Sequence, residues 1–183
     1  TRRSSDLAAP ESADQRLTDW FAELEPAQSA ALAVLLEHPF ARDILRGIAE
    51  FSPYLFELAR ADAGRLIRIL SCDPESHLAG LIETASRDVL AAGSEADVMV
   101  LLRRMKAEAA LMIALCDIGG VWPVMRVTAA LTDIAVNSVQ SALRYLFRQE
   151  VARGRMTAAD PEHPEVGSGL IVRSEEHTSE LQS

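Results

Sequence analysis

Three cations, Arg103, Arg104 and Lys106, lie within four positions of one another in an otherwise apolar helical pattern. As the sharpest exposed feature of the chain, this cluster could contact a phosphate, a nucleotide-bearing partner or an acidic protein surface. The plainer reading is a solvated face with Glu95 and Glu108 as helical ion-pair partners, and the cluster alone favours it. His38, His77 and His163 lack a second ligand at the spacing a metal needs. Asp73 and Glu75 read as a helix cap and a first-turn acid, and Asp117 and Asp133 as caps or core-edge acids. No serine, histidine and aspartate constellation follows from the pattern. Gly167-Ser168-Gly169 has too few glycines for a phosphate-binding loop. The residues by themselves therefore assign no catalytic site, no cofactor site and no metal site.

The elements that carry these residues are helices. The chain has 183 residues, 49% hydrophobic and only 5% aromatic, with a formal net charge of −9. Abundant Ala and Leu with few β-branched clusters predict an all-α fold. The acidic balance argues against nucleic acid as a partner, since phosphate neutralisation needs a basic surface. Cys72 and Cys116 sit in apolar helical contexts and read as reduced core residues of a cytoplasmic protein. The most apolar stretch, 107–124, is interrupted by Glu108, Asp117, Gly119, Gly120 and Pro123. It therefore reads as a buried helix and not a membrane span.

Residues 1–14 are polar and read as a disordered start, followed by a helical domain over 15–154. Pro26, Pro39, Pro53 and Pro74 each mark a helix start, with Ser52 and Asp73 as N-caps. Gly64 is read as a break before a short helix at 65–71, and Ser94 with Asp97 as a capping-box variant. Two long helices, 95–116 and 121–153, flank a Gly119-Gly120 turn and are expected to pack as an antiparallel pair. In the second, Val127, Leu131, Ile134, Ala135, Val139, Leu143, Leu146 and Phe147 supply an apolar stripe. Gly154 fits a helix C′ position.

A proline-containing linker over 155–165 leads to an apolar stretch over 166–172, which reads as the start of a buried strand. A buried strand needs a partner, and none follows, so the chain is expected to be cut short inside a second domain. The polar tail 173–183, which includes His177, looks like one reading frame of a common sequencing-library adapter and is expected to form no part of the fold. Thr1, in place of an initiator Met, also suggests a piece of something longer.

One segment says more. Leu101-Leu-Arg-Arg-Met-Lys-Ala-Glu-Ala-Ala-Leu-Met-Ile-Ala-Leu-Cys-Asp-Ile-Gly-Gly120 is followed by Trp122, Val127-Thr128 and Leu131-Thr-Asp-Ile-Ala135 and preceded by Ser52-Pro-Tyr-Leu55. In that order and spacing they resemble the family of bifunctional glutamine synthetase adenylyltransferase/adenylyl-removing enzymes, over about 35–172. The resemblance implies a parent of two similar halves, each a helical region with a nucleotidyltransferase domain. One half removes AMP from glutamine synthetase by phosphorolysis, and the other attaches AMP from ATP to a tyrosine of it.

The resemblance also implies magnesium and ATP or ADP as the parent's cofactors. Glutamine synthetase, a PII-type signalling protein and the parent's own nucleotidyltransferase domain would be the partners. In the family a strand like Gly169-Leu-Ile-Val172 leads into Gly-Lys-x-Gly and Ser-Asp-x-Asp signatures. This chain departs from that pattern at Arg173, so no catalytic residue is transferred, the piece alone is expected to be inactive, and it should bind no cofactor. The competing reading is a stand-alone helical protein-interaction module.

Overall fold

The computed structural model describes residues 12–160, 163–170 and 172. Most of the expected disordered start, Ile171 of the expected strand and the tail 173–183 lie outside them. Among the described residues eight helices follow one another: α1 (Ala13–Glu23), α2 (Pro26–Leu35), α3 (Pro39–Phe51), α4 (Pro53–Ala61), α5 (Ala63–Ser71), α6 (Pro74–Leu90), α7 (Glu95–Ile118) and α8 (Val124–Ala152). The all-α expectation holds. None of these helices is long and apolar enough to cross a membrane.

Helix starts follow local chemistry. Proline opens α2, α3, α4 and α6, where a missing N–H is harmless and a fixed φ suits the first turn. The side chains of Ser12, Ser52, Asp62, Asp73 and Ser94 each accept a hydrogen bond from the N–H three residues on. Each such bond satisfies one orphan donor of a first turn. Two starts differ from expectation. Ser12 caps α1, so Ala13 and Asp14 are already helical. Asp62 caps α5 at 2.9 Å, which places Gly64 inside the first turn and not at a break. The Ser94 box is half formed. Its Oγ accepts from the Asp97 N–H at 3.2 Å and donates to Asp97 Oδ2 at 2.7 Å.

Two units are distinguished, one ending at Ser138 and one beginning at Val139, within α8. In the first, the core gathers Trp20, Leu32, Leu45, Ile48, Phe56, Leu66, Leu78 and the second half of α7. Leu111 and Met112 are fully buried. The most extensive helix contact is between α6 and α7, which a short connection over 91–94 joins antiparallel. The long antiparallel pair is thus α6 with α7, whereas the sequence suggests α7 with α8. The apolar period of α7 runs on all sides of its second half, so period alone does not select the neighbour. Trp122 (6% exposed), Ala130 and Ile134 bring the start of α8 into the same core.

Part of the apolar stripe expected of α8 is not buried. Leu131, Val139 and Leu146 are 53%, 40% and 43% exposed, and Ala135 is exposed as well. In α4 Tyr54 faces solvent and Phe56 is buried. A helical period says which residues share a face, and it does not say that another element covers that face.

In the second unit, Tyr145 is buried and Pro164 is among the most enclosed side chains. Glu165 accepts from Arg144 Nε at 2.7 Å. Gly154, at φ +69°, closes α8 as expected of a C′ glycine. The Arg155 N–H donates to the Glu150 carbonyl and the Gly154 N–H to the Val151 carbonyl. The strand expected over 166–172 is not seen among its described residues. Residues 164–167 form turns, and Gly167 and Gly169 adopt φ +75° and +76°. A strand is stabilised by its ladder partners, and no other strand occurs among the described residues.

The α7–α8 turn has the same geometry as the end of α8. The Gly120 N–H reaches the Asp117 carbonyl at 3.0 Å, and the Val121 N–H reaches the Cys116 carbonyl at 2.8 Å. Its two glycines are needed for different reasons. Gly120 has φ +63° with open space around it. Ala there should cost about 1–2 kcal/mol in backbone strain, and Asn should recover most of the loss. A Cβ at Gly119 would lie 2.7 Å from the Leu115 carbonyl oxygen and 3.2 Å from Ile44 Cδ1. Ala at 119 should cost about 1–3 kcal/mol, with no recovery by Asn. Urea denaturation of the four variants separates the two effects.

Candidate functional site

The basic cluster sits on the first half of α7, the half that faces water. Arg103, Arg104 and Lys106 are all exposed, while Met105 between them is buried. Among the described residues none of the three has an ion pair or a side-chain hydrogen bond. The helical partners expected for them are otherwise placed. Glu95 opens the helix two turns earlier. Glu108 turns inward, with its side chain only 13% exposed.

Glu108 instead joins three helices. Its carboxylate accepts from Arg68 of α5 at 2.7 and 3.2 Å and lies 2.8 Å from His77 Nε2 of α6. Burial alone would push this carboxyl upward. The Arg68 hydrogen bonds and charge, with His77, outweigh it and hold the carboxyl below its ordinary value. Bonding to Glu108 raises the Arg68 guanidinium in turn. His77, isolated in the sequence, is thus a structural partner.

A second clasp ties α6 to α8. Glu75 accepts from Arg126 Nε at 2.8 Å, and the Arg126 guanidinium lies 4.6 Å from the centre of the Trp122 ring. A guanidinium at that distance is attracted to the ring face. The bond from Arg126 lowers the Glu75 carboxyl, and the Ser76 backbone N–H on Asp73 lowers that one. Asp73 and Glu75 therefore serve as cap and first-turn acid, and Glu75 adds a tertiary ion pair. Asp133 is 3.9 Å from Arg126, Asp117 is exposed, and His163 lies 3.8 Å from Glu165.

The first unit also holds an apolar cavity of about 300 Å³, bounded by Phe40, Ile44, Ile69, Met112, Val121 and both cysteines. Burial pushes the Cys116 thiol up to about 11 and raises Cys72 as well. Burial thus disfavours the thiolate form of both cysteines. Among the described residues no group of three His, Cys, Asp or Glu side chains could hold a metal ion.

The Glu108 network and the cavity have no local signal in the sequence. Arg68 and His77 are 40 and 31 positions from Glu108. A charged residue in the apolar 107–124 stretch is the one hint that a partner must come from elsewhere.

The described residues define an all-helical scaffold with an exposed basic face. Residues 43–172 match the family model for glutamate-ammonia ligase adenylyltransferase. The chain is 67% identical over 166 residues to a bifunctional glutamine synthetase adenylyltransferase/adenylyl-removing enzyme of Bradyrhizobium diazoefficiens. Proteins of the same description from Rhodopseudomonas palustris strain BisB5 and Xanthobacter autotrophicus are 56% and 45% identical over 167 and 172 residues. These alignments cover 91–93% of this chain and 17% of each relative's length. No solved structure matches. The chain belongs to the glutamate-ammonia ligase adenylyltransferase family, and it spans about a sixth of the length of these relatives.

Two measurements check the site. A carboxyl held low in the folded state contributes stability above its ordinary value of 4.5 and loses it as pH falls through the folded value. Glu108→Gln should lower stability at pH 7 by about 1–2 kcal/mol. That gap should close on acidification below 4.5. At pH 8 a thiol near 11 is about one part in a thousand thiolate. Cys116 should therefore resist iodoacetamide far longer than a free cysteine. Peptide mass mapping reads the labelling.

Proposed function

We propose that this chain is the amino-terminal helical region of an enzyme that attaches AMP to glutamine synthetase and removes it. The observation that carries the reading is the 67% identity over 91% of the chain to a protein of that description. The helical region over 15–154, with its linker over 155–165, packs against a nucleotidyltransferase domain that begins near 166 and helps shape the surface that receives glutamine synthetase. In the longer enzyme ATP or ADP and magnesium would be held by that domain. A PII-type protein would be a second partner, and the cytoplasm the compartment. Arg103, Arg104 and Lys106 face that domain or its phosphates.

The helices contribute position and not chemistry. Catalysis of phosphoryl and nucleotidyl transfer rests on alignment and on charge placed where it develops. A rigid support that fixes a catalytic domain against its protein substrate serves the first of these. Core and capping contacts of the kind described above provide that rigidity.

The reading predicts that the 183-residue chain alone neither transfers AMP to glutamine synthetase nor releases it. The longer enzyme should do both, and deleting the helical region from it should lower both. Radiolabelled AMP on glutamine synthetase is the readout. Transfer by the isolated chain, or full activity after the deletion, would sink the proposal.

A further inference from the structure

The exposed face of α7 is not basic alone. Met99 and Val100 are 51% and 44% exposed. They precede Arg103 and Arg104 by one helical turn each, and Lys106 lies one turn beyond Arg103, so the five side chains form one continuous patch. Among the described residues nine other arginines lie within 4.0 Å of a carboxylate, Arg46, Arg60, Arg68 and Arg126 among them. Against a net charge of −9, an unpaired basic island is a local departure that selects acidic partners.

We propose that this patch docks an acidic protein surface with an apolar centre, supplied by the remainder of the same longer polypeptide. This rests on the reading above and deepens it. Met99 and Val100 favour protein over phosphate, because a phosphate offers no apolar surface to bury. The size favours a contact within one chain. Five side chains on one helix face fall well short of the roughly 800 Å² per partner that stable complexes of separate proteins bury. Contacts between domains of one chain are smaller and more polar, and tethering supplies an effective concentration of order millimolar. The relatives provide the extra chain, since the aligned region is 17% of their length.

Lys106 is the only lysine of the chain, which makes the contact addressable. In the longer enzyme, zero-length carbodiimide coupling followed by peptide mass mapping should join Lys106 Nζ to an Asp or Glu outside this segment but in the same polypeptide. Arg103→Glu with Arg104→Glu should reduce the yield about tenfold, and Met99→Ser with Val100→Ser should reduce it too. Circular dichroism confirms that each variant stays helical. No coupling, coupling only to carboxylates of this segment, or coupling only to added glutamine synthetase overturns the proposal. So does loss of coupling on adding inorganic phosphate or ADP with no effect of the Met99 and Val100 changes. AMP transfer by the unmodified enzyme is measured separately, so failure of the enzymatic reading is distinct from failure of the docking one.

Discussion

Residues 109–116 of α7 leave no side open to water, and the helices packed on α7 are arranged around that fact. No residue over 109–116 is exposed, and Ala109, Leu111 and Met112 are fully buried. A helix apolar on every side is stable only when neighbours enclose it. Here α4, α5 and α6 supply the enclosure. The short helices of the amino-terminal part have few residues each, and isolated helices of that length are marginal in water. Their persistence depends on packing, α4 and α5 directly on α7, α1 on α3 and α2 on α5.

The same constraint explains the polar network. Glu108 sits where α7 passes from its solvated half to its enclosed half. An unpaired carboxylate there would be expensive to desolvate. Arg68 and His77 supply the compensation from two different helices, and so fix α5, α6 and α7 against one another. Cap and core thus work on different scales. The caps decide where each helix begins, and Glu108 helps decide which faces meet.

That division accounts for what could be read in the sequence. Pro26, Pro39, Pro53, Pro74 and the caps Ser52, Asp73 and Ser94 act within a few residues, and their chemistry is visible in the order of residues alone. Many helix starts followed from them, and the all-α class from abundant Ala and Leu. The choice of α6 as the long partner of α7, the inward turn of Glu108 and the exposure of Leu131 and Val139 depend on residues tens of positions away. A one-dimensional period carries no record of those. The site was legible in part: the three cations were evident, and the apolar pair preceding them and the absence of ion partners were not.

The contrast between the two halves of α7 also bears on what the chain is for. Its enclosed half meets the needs of the fold. Its open half carries Arg103, Arg104 and Lys106 without an ion pair, because Glu108, one turn beyond Arg104, is engaged by Arg68 and His77 instead. Ion pairs at that spacing add only a few tenths of a kcal/mol, so their absence costs the fold little. Unpaired cations beside exposed Met99 and Val100 leave charge and apolar area available for another surface. The relatives are about six times as long as the segment aligned with this chain. A helix held rigid at one end and open at the other is suited to carry that surface at a fixed position.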